Sequence, residues 1–154
     1  IPKIFKQILN KTLEEENIDI ISCNGVTYKN FIHIAELMEK KVVVITDNDE
    51  NEEKINEMNN YNKQHDNIKI YMDSNVQNWT WEVCFYKLNV DKLKKIIEIE
   101  DGAKYSYKGI SYESEPVLGK MLNNKSETAY KVYTADKEFK YPSYVEEALK
   151  WIKG

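Results

Sequence analysis

Lys41-Val42-Val43-Val44-Ile45-Thr46-Asp47-Asn48-Asp49-Glu50-Asn51 is the stretch whose reading decides the fold. Four β-branched apolar residues in a row read as a strand buried on both faces, the habit of a parallel sheet covered by helices on each side. The run stops on two aspartates one residue apart. Open α/β sheets bind ligands beyond the carboxyl ends of their strands, and carboxylate oxygens gathered there suit a hard divalent cation such as Mg²⁺ or Mn²⁺. Asp47 and Asp49 are therefore candidate metal ligands. At a frayed strand end both can turn toward one cation. The same acids also suit the positive end of the helix that follows, so the pair taken alone leaves both readings open.

Outward from this strand, helices and strands alternate. Pro2 opens a helix predicted to about Glu16, with Ile4, Phe5, Ile8, Leu9 and Leu13 on one face. Ile18 to Cys23 reads as a strand closed by Asn24-Gly25. Lys29 to Lys40 reads as a helix with Phe31, Ile34, Ala35 and Met38 in phase. Asn51 is placed to cap a helix from Glu52 to His65, and Ile68 to Met72 reads as a short strand. Such alternation favours a parallel sheet with right-handed crossovers. A chain that starts on a helix leaves room for a first strand ahead of it.

Beyond Asp73 the pattern becomes mainly helical. Trp79 to Leu88 is predicted helical, with Trp81, Phe85 and Leu88 as its apolar face, and Asp91 is placed to cap a short helix carrying Leu93, Ile96 and Ile97. Glu100 to Glu113 reads as a loop or irregular hairpin. Three helices follow, over Ser114 to Leu122, Lys125 to Ala135, and Ser143 to Gly154. The last is expected to start on a Ser143/Glu146 capping box. The whole reads as one domain over 1–154, with a sheet core in 1–90 and a helical extension in 91–154.

Composition narrows the function. All 22 basic residues are Lys, against 26 acids, for a net charge of −4. That balance argues against a self-sufficient grip on nucleic acid, which rests on a basic face. It leaves open an acidic metal site touching DNA that another domain holds. Without Arg there is no bidentate guanidinium clamp, so phosphate contacts fall to Lys, hydroxyls or backbone N–H groups. Cys23 and Cys84 form no CxxC pair and show no zinc spacing with His33 or His65, and read as buried free thiols of a reducing cytoplasm. No apolar run approaches membrane-spanning length. Asp47-x-Asp49-x-Asn51 imitates the start of a calcium loop, but Glu52 and Met58 stand where that loop needs Gly and Glu. Glu82 opens a helix just after the last strand and brings a third acid toward the same rim. Lys125 opens another helix, where the macrodipole disfavours a cation.

Val43-Val44-Ile45-Thr46-Asp47-Asn48-Asp49, Trp79-Thr80-Trp81-Glu82 and Asn124-Lys125-Ser126-Glu127-Thr128-Ala129, in this order and spacing, resemble the Toprim domain of OLD-family (overcoming lysogenization defect) ATP-dependent endonucleases. The nuclease subunits of Gabija-type phage defence are among them. The resemblance implies a Rossmann-like α/β fold, a parallel sheet flanked by helices, with C-terminal helices packed on it. It implies that Asp47, Asp49 and Glu82 are metal ligands for one or two Mg²⁺ or Mn²⁺ ions. Lys125 would serve catalysis by offsetting phosphate charge in the transition state, and Glu82 would serve it as a ligand of the metal. It also implies DNA as substrate, an upstream ABC-type ATPase domain that alone would bind ATP, a homo-oligomeric parent, and a cytoplasmic location without membrane attachment. The family's Glu-Gly-x-x-Glu motif belongs on a first strand just ahead of Ile1. These 154 residues are thus expected to carry an incomplete ligand set and little activity by themselves. Two rivals remain: a catalytically silent docking or dimerisation module, and the Toprim domain of a topoisomerase or primase.

Overall fold

The computed structural model describes residues 1–23 and 28–154; the expected Asn24-Gly25 turn lies outside the described residues. The architecture is α/β, as the sequence indicates, with seven α-helices and a small parallel sheet among the described residues. The chain divides into two compact units. Unit 1 holds Ile1–Trp79 and Pro142–Gly154, and unit 2 holds Thr80–Tyr141.

In unit 1, α1 (Pro2–Leu9) ends earlier than the periodicity predicts. Asn10 turns left-handed (φ 53°) and its N–H closes on the Lys6 carbonyl, a helix stop that Asn tolerates better than most residues. Thr12 and Glu15 then cap each other, Glu15 N–H to Thr12 Oγ1 and Thr12 N–H to a Glu15 carboxylate oxygen, over a short 3₁₀ turn at Glu14–Glu16. The expected strand over Ile18–Cys23 has no regular pairing. Cys23 is half-buried, not fully enclosed as the sequence suggests.

Helix α2 (Tyr28–Leu37) buries Ile32 and Ala35. The expected face was wrong by part of a turn: Phe31, Ile34 and Met38 are exposed, as is Leu37. Lys29, Asn30, His33 and Glu36 mark a polar side, but the apolar arc opposite is wider than the strip that meets the sheet, so period alone does not choose which part of it is buried. Strand β1 (Val42–Ile45) pairs in parallel with β2 (Ile68–Tyr71), Val42 opposite Ile68 and Ile45 opposite Tyr71. Between them runs α3 (Glu52–Gln64), its first turn capped by Asn51 Oδ1, which accepts the Lys54 N–H. Ile32, Ala35, Ile55, Met58, Ile68, Ile70 and Met72 form one apolar cluster. Asn62 stitches α3 to β2 by donating to the Ile70 carbonyl (2.7 Å) and accepting the Ile70 N–H (2.8 Å). Helix α7 (Ser143–Lys153) also packs on both strands, and the Lys41 ammonium sits over the Trp151 ring (4.8 Å). Pro142, not Ser143, occupies the N-cap of α7, and no side chain caps it. The expected capping box is absent because Ser143 already lies inside the helix.

β1 is only half-buried along its whole length, against the expectation of burial on both faces. Among the described residues it has a single strand neighbour. A groove of about 650 Å³ runs beside it, bounded by Ile18, Ile21 and Cys23 and by every residue from Val42 to Thr46. Consecutive residues line a groove only when the strand presents its edge to it.

In unit 2, α4 (Trp81–Leu93) is two helical stretches joined across a kink at Asn89 (φ −135°); the second carries Leu93 as expected but starts at the kink, ahead of the expected Asp91 cap, and stops short of Ile96 and Ile97. The Asn89 side chain is buried and fully used, donating to the Phe85 and Lys140 carbonyls and accepting the Lys140 N–H. Phe85 is buried as expected and stacks with Trp81 and Tyr141, whereas Leu88 is exposed. Strands β3 (Ser106–Tyr107) and β4 (Ile110–Ser111) make the hairpin, turning through Lys108 and Gly109, both at positive φ. Helices α5 (Pro116–Asn123) and α6 (Lys125–Thr134) follow.

Two predictions follow from this packing. Val42 and Thr46 donate to the β2 side, so alternation turns the Val43 and Ile45 N–H groups to the groove. In hydrogen exchange, Val43 and Ile45 are expected to exchange faster than Val42 and Val44. In α5, a Cβ on Gly119 would stand 2.5 Å from Tyr105 Cβ and 2.8 Å from Tyr112 Cβ. Gly119→Ala is therefore expected to destabilise by about 1–3 kcal/mol in urea unfolding, despite the better helix propensity of Ala.

Candidate functional site

The loop after β1 is tightly built. Thr46 N–H still reaches the Tyr71 carbonyl of β2 (3.0 Å). The next residues leave the strand: Asp47 is half-buried, Asn48 is buried and Asp49 is exposed. Asp49 and Glu50 both adopt left-handed backbone, φ 55° and 62°, at a cost of about 1–3 kcal/mol each that the surroundings must offset. Asn48 does this. Its Oδ1 accepts the Glu50 N–H (2.9 Å), and its carbonyl accepts the Asn51 N–H (3.0 Å). Its Nδ2 donates to the carbonyls of Asp73 (2.9 Å) and Asn75 (3.0 Å), with a longer contact to Asn78 (3.4 Å). Asp49 N–H donates to the Trp79 carbonyl (3.1 Å). The loops that follow β1 and β2 are thus joined side by side.

Lys54, in the first turn of α3, supplies the positive charge here. Its Nζ donates to an Asp49 carboxylate oxygen (2.7 Å) and to the Asp47 carbonyl oxygen. The loop after β2 carries another acid, Asp73, whose carboxylate accepts the Asn75 N–H (2.8 Å) and an Asn78 amide hydrogen (3.1 Å). Sequence reasoning passed over Asn48, Lys54 and Asp73. Helical spacing from the Asn51 cap could have found Lys54, since the cap and first turn bring position 54 back over the loop.

In unit 2, two residues far apart in sequence meet. Lys125 Nζ lies 2.9 Å from Glu82 Oε2. Thr80, almost fully buried, donates its hydroxyl to the same carboxylate oxygen (2.7 Å) and takes a longer contact from Lys125 (3.4 Å). Glu82 sits at the first turn of α4 and Lys125 at the first residue of α6. The Glu82 carboxylate thus supplies the charge that the α6 dipole denies to Lys125. The Glu82 side chain is only 12% exposed and that of Lys125 is 45% exposed. Nearly half of the Lys125 side chain is thus in contact with solvent. Among the described residues, no three His, Cys, Asp or Glu side chains gather closely enough to hold a metal ion.

Residues 1–49 match the family of overcoming lysogenization defect protein-like TOPRIM domains. The match supports a Toprim domain of an OLD-family protein. It covers 49 of the 154 residues and takes in α1, α2, β1 and both aspartates of the Asp47/Asp49 pair. Searches of curated proteins and of solved structures found no match. The match suggests a nuclease-type Toprim module, and Toprim domains generally bind divalent metals. Among the described residues, no helix is long and apolar enough to cross a membrane.

Thr80 holds the Glu82 carboxylate from inside unit 2. Thr80→Val keeps the shape and removes the hydroxyl. It is expected to lower stability by about 1–2 kcal/mol in urea unfolding, whereas Thr80→Ser loses less because the donor survives.

Proposed function

We propose that this chain is the Toprim nuclease domain of an ATP-dependent OLD-family endonuclease, cleaving DNA phosphodiester bonds with a divalent metal. One observation carries the reading: the family match over residues 1–49 includes the strand and both acids that follow it. The ATPase domain lies elsewhere in the parent polypeptide, the parent is a homo-oligomer, and phage defence of the Gabija type is the setting that the resemblance suggests.

The donor set fits Mg²⁺ or Mn²⁺ in kind, since the Asp47/Asp49 pair at the carboxyl end of a parallel strand offers hard oxygens. It is short in number, and further oxygen ligands from the parent protein or water would complete the ion's shell. A bound ion supplies an activated water and offsets charge on the leaving oxygen. The chain's own residues do the rest. Asp47 and Asp49 hold the ion. Lys54 steadies this turn through the Asp47 carbonyl and the Asp49 carboxylate. In unit 2, Glu82 stands as a further candidate ligand and aligns Lys125. Lys125 would offset the charge that develops on a phosphate oxygen.

A catalytically silent module is the second reading, favoured by the lack of a three-ligand cluster among the described residues. Supercoiled plasmid incubated with the full-length parent and Mn²⁺ separates the two. Asp47→Ala, Asp49→Ala and Lys125→Ala are each expected to slow cleavage about a hundredfold or more. Undiminished cleavage by all three would establish the silent module.

A further inference from the structure

Asn48 stands between the two acids, and neither the resemblance nor the family match assigns it a role. It is 1% exposed, the most deeply buried polar side chain among the described residues. A carboxamide has two donor hydrogens and one acceptor oxygen, and here all are engaged. The donors serve the Asp73 and Asn75 carbonyls, with the Asn78 carbonyl as a branched third partner, and the acceptor holds the Glu50 N–H. No other side chain of this size does the same. Asp would set an anion against three carbonyl oxygens. Ser and Ala leave those carbonyls without the paired donors. Gln carries the amide one carbon too far.

This side chain has a direct effect on the acids. Extended backbone after β1 would carry Asp47 and Asp49 forward along the strand. The Asn48 amide oxygen instead holds Glu50 back against the strand end, while the Asn48 backbone carbonyl takes the Asn51 N–H, so that Asp49 lies left-handed, its N–H on Trp79 and its carboxylate at Lys54. We propose that Asn48 is the positioning residue of the cation site, locking the turn in which two carboxylates one residue apart can address one divalent ion. This rests on the metal reading given above.

The experiment uses Mn²⁺ as a paramagnetic probe of the ¹⁵N-labelled full-length parent, with Asn48→Ser as the variant. Asn62→Ala is the control, because it also removes an amide bridge within unit 1, between α3 and β2, and touches no acid. In the wild type, substoichiometric Mn²⁺ is expected to broaden the amides of residues 46–51. Asn48→Ser is expected to weaken this binding about tenfold or more, the usual effect of losing a group that orients a ligand. Asn62→Ala is expected to lower the melting temperature and keep the wild-type affinity.

Affinity within twofold of wild type in Asn48→Ser overturns the inference and leaves the metal reading standing. Equal loss in Asn62→Ala also overturns it, since any destabilisation would then suffice. No broadening in the wild type sinks the metal reading itself, and the inference with it. A wild-type measurement covers the case in which Asn48→Ser fails to fold: saturating Mg²⁺ is expected to slow exchange of the Glu50 N–H, because ion and turn stabilise each other. An unchanged Glu50 rate overturns the inference.

Discussion

Parallel pairing of β1 with β2 is the constraint on which unit 1 depends. Parallel strands cannot be joined by a tight turn, so the chain must travel through a crossover helix. That helix is α3, and its start is tied down by the loop that holds the acids. The Val42-to-Ile45 register against Ile68-to-Tyr71 brings the carboxyl ends of both strands to the same level. Two loops therefore leave the sheet side by side. Asn48 lies across them, extending the strand pairing by side-chain hydrogen bonds where the backbone ladder stops. A buried amide without these partners would be costly; with all of them satisfied it fixes a single arrangement.

Charge is handled locally in each unit. In unit 1, Lys54 offsets Asp49 and sits at the positive end of α3, where the acids are also favoured. In unit 2, Glu82 and Lys125 pair across 43 residues of sequence, with the buried Thr80 hydroxyl holding the carboxylate. Partly exposed pairs of this kind contribute little to stability. Their value is orientation: the carboxylate holds the Lys125 ammonium to one direction. Both arrangements suit chemistry on an anionic substrate.

Much of this was legible from residues. The apolar run ending at Asp47, the Asn51 cap, the α3 crossover and the short β2 all follow from local pattern, because hydrophobic period and capping act over a few residues. Other elements were not. The apolar arc of α2 is wider than the strip that is buried, and only packing decides that Ile32 and Ala35, not Phe31 and Ile34, meet the core. The Asn89 break takes its cause from Lys140, 51 residues away. Ser143 and Glu146 spell a capping box, but Pro142 starts the helix one residue earlier and removes it.

The sequence by itself determined the kind of chemistry available: hard carboxylate oxygens at a strand end, lysine as the only permanent cation, and an alternation that calls for a parallel sheet. These are properties of residue type and spacing. Only the tertiary structure decided how those groups are held. Nothing near Asn48 in sequence shows that its amide reaches the loop after β2, and nothing near Lys125 shows that it meets Glu82. Hydrogen bonds between distant segments exist only once the strands are in register and the helices are docked, so geometry of this kind cannot be read from spacing along the chain.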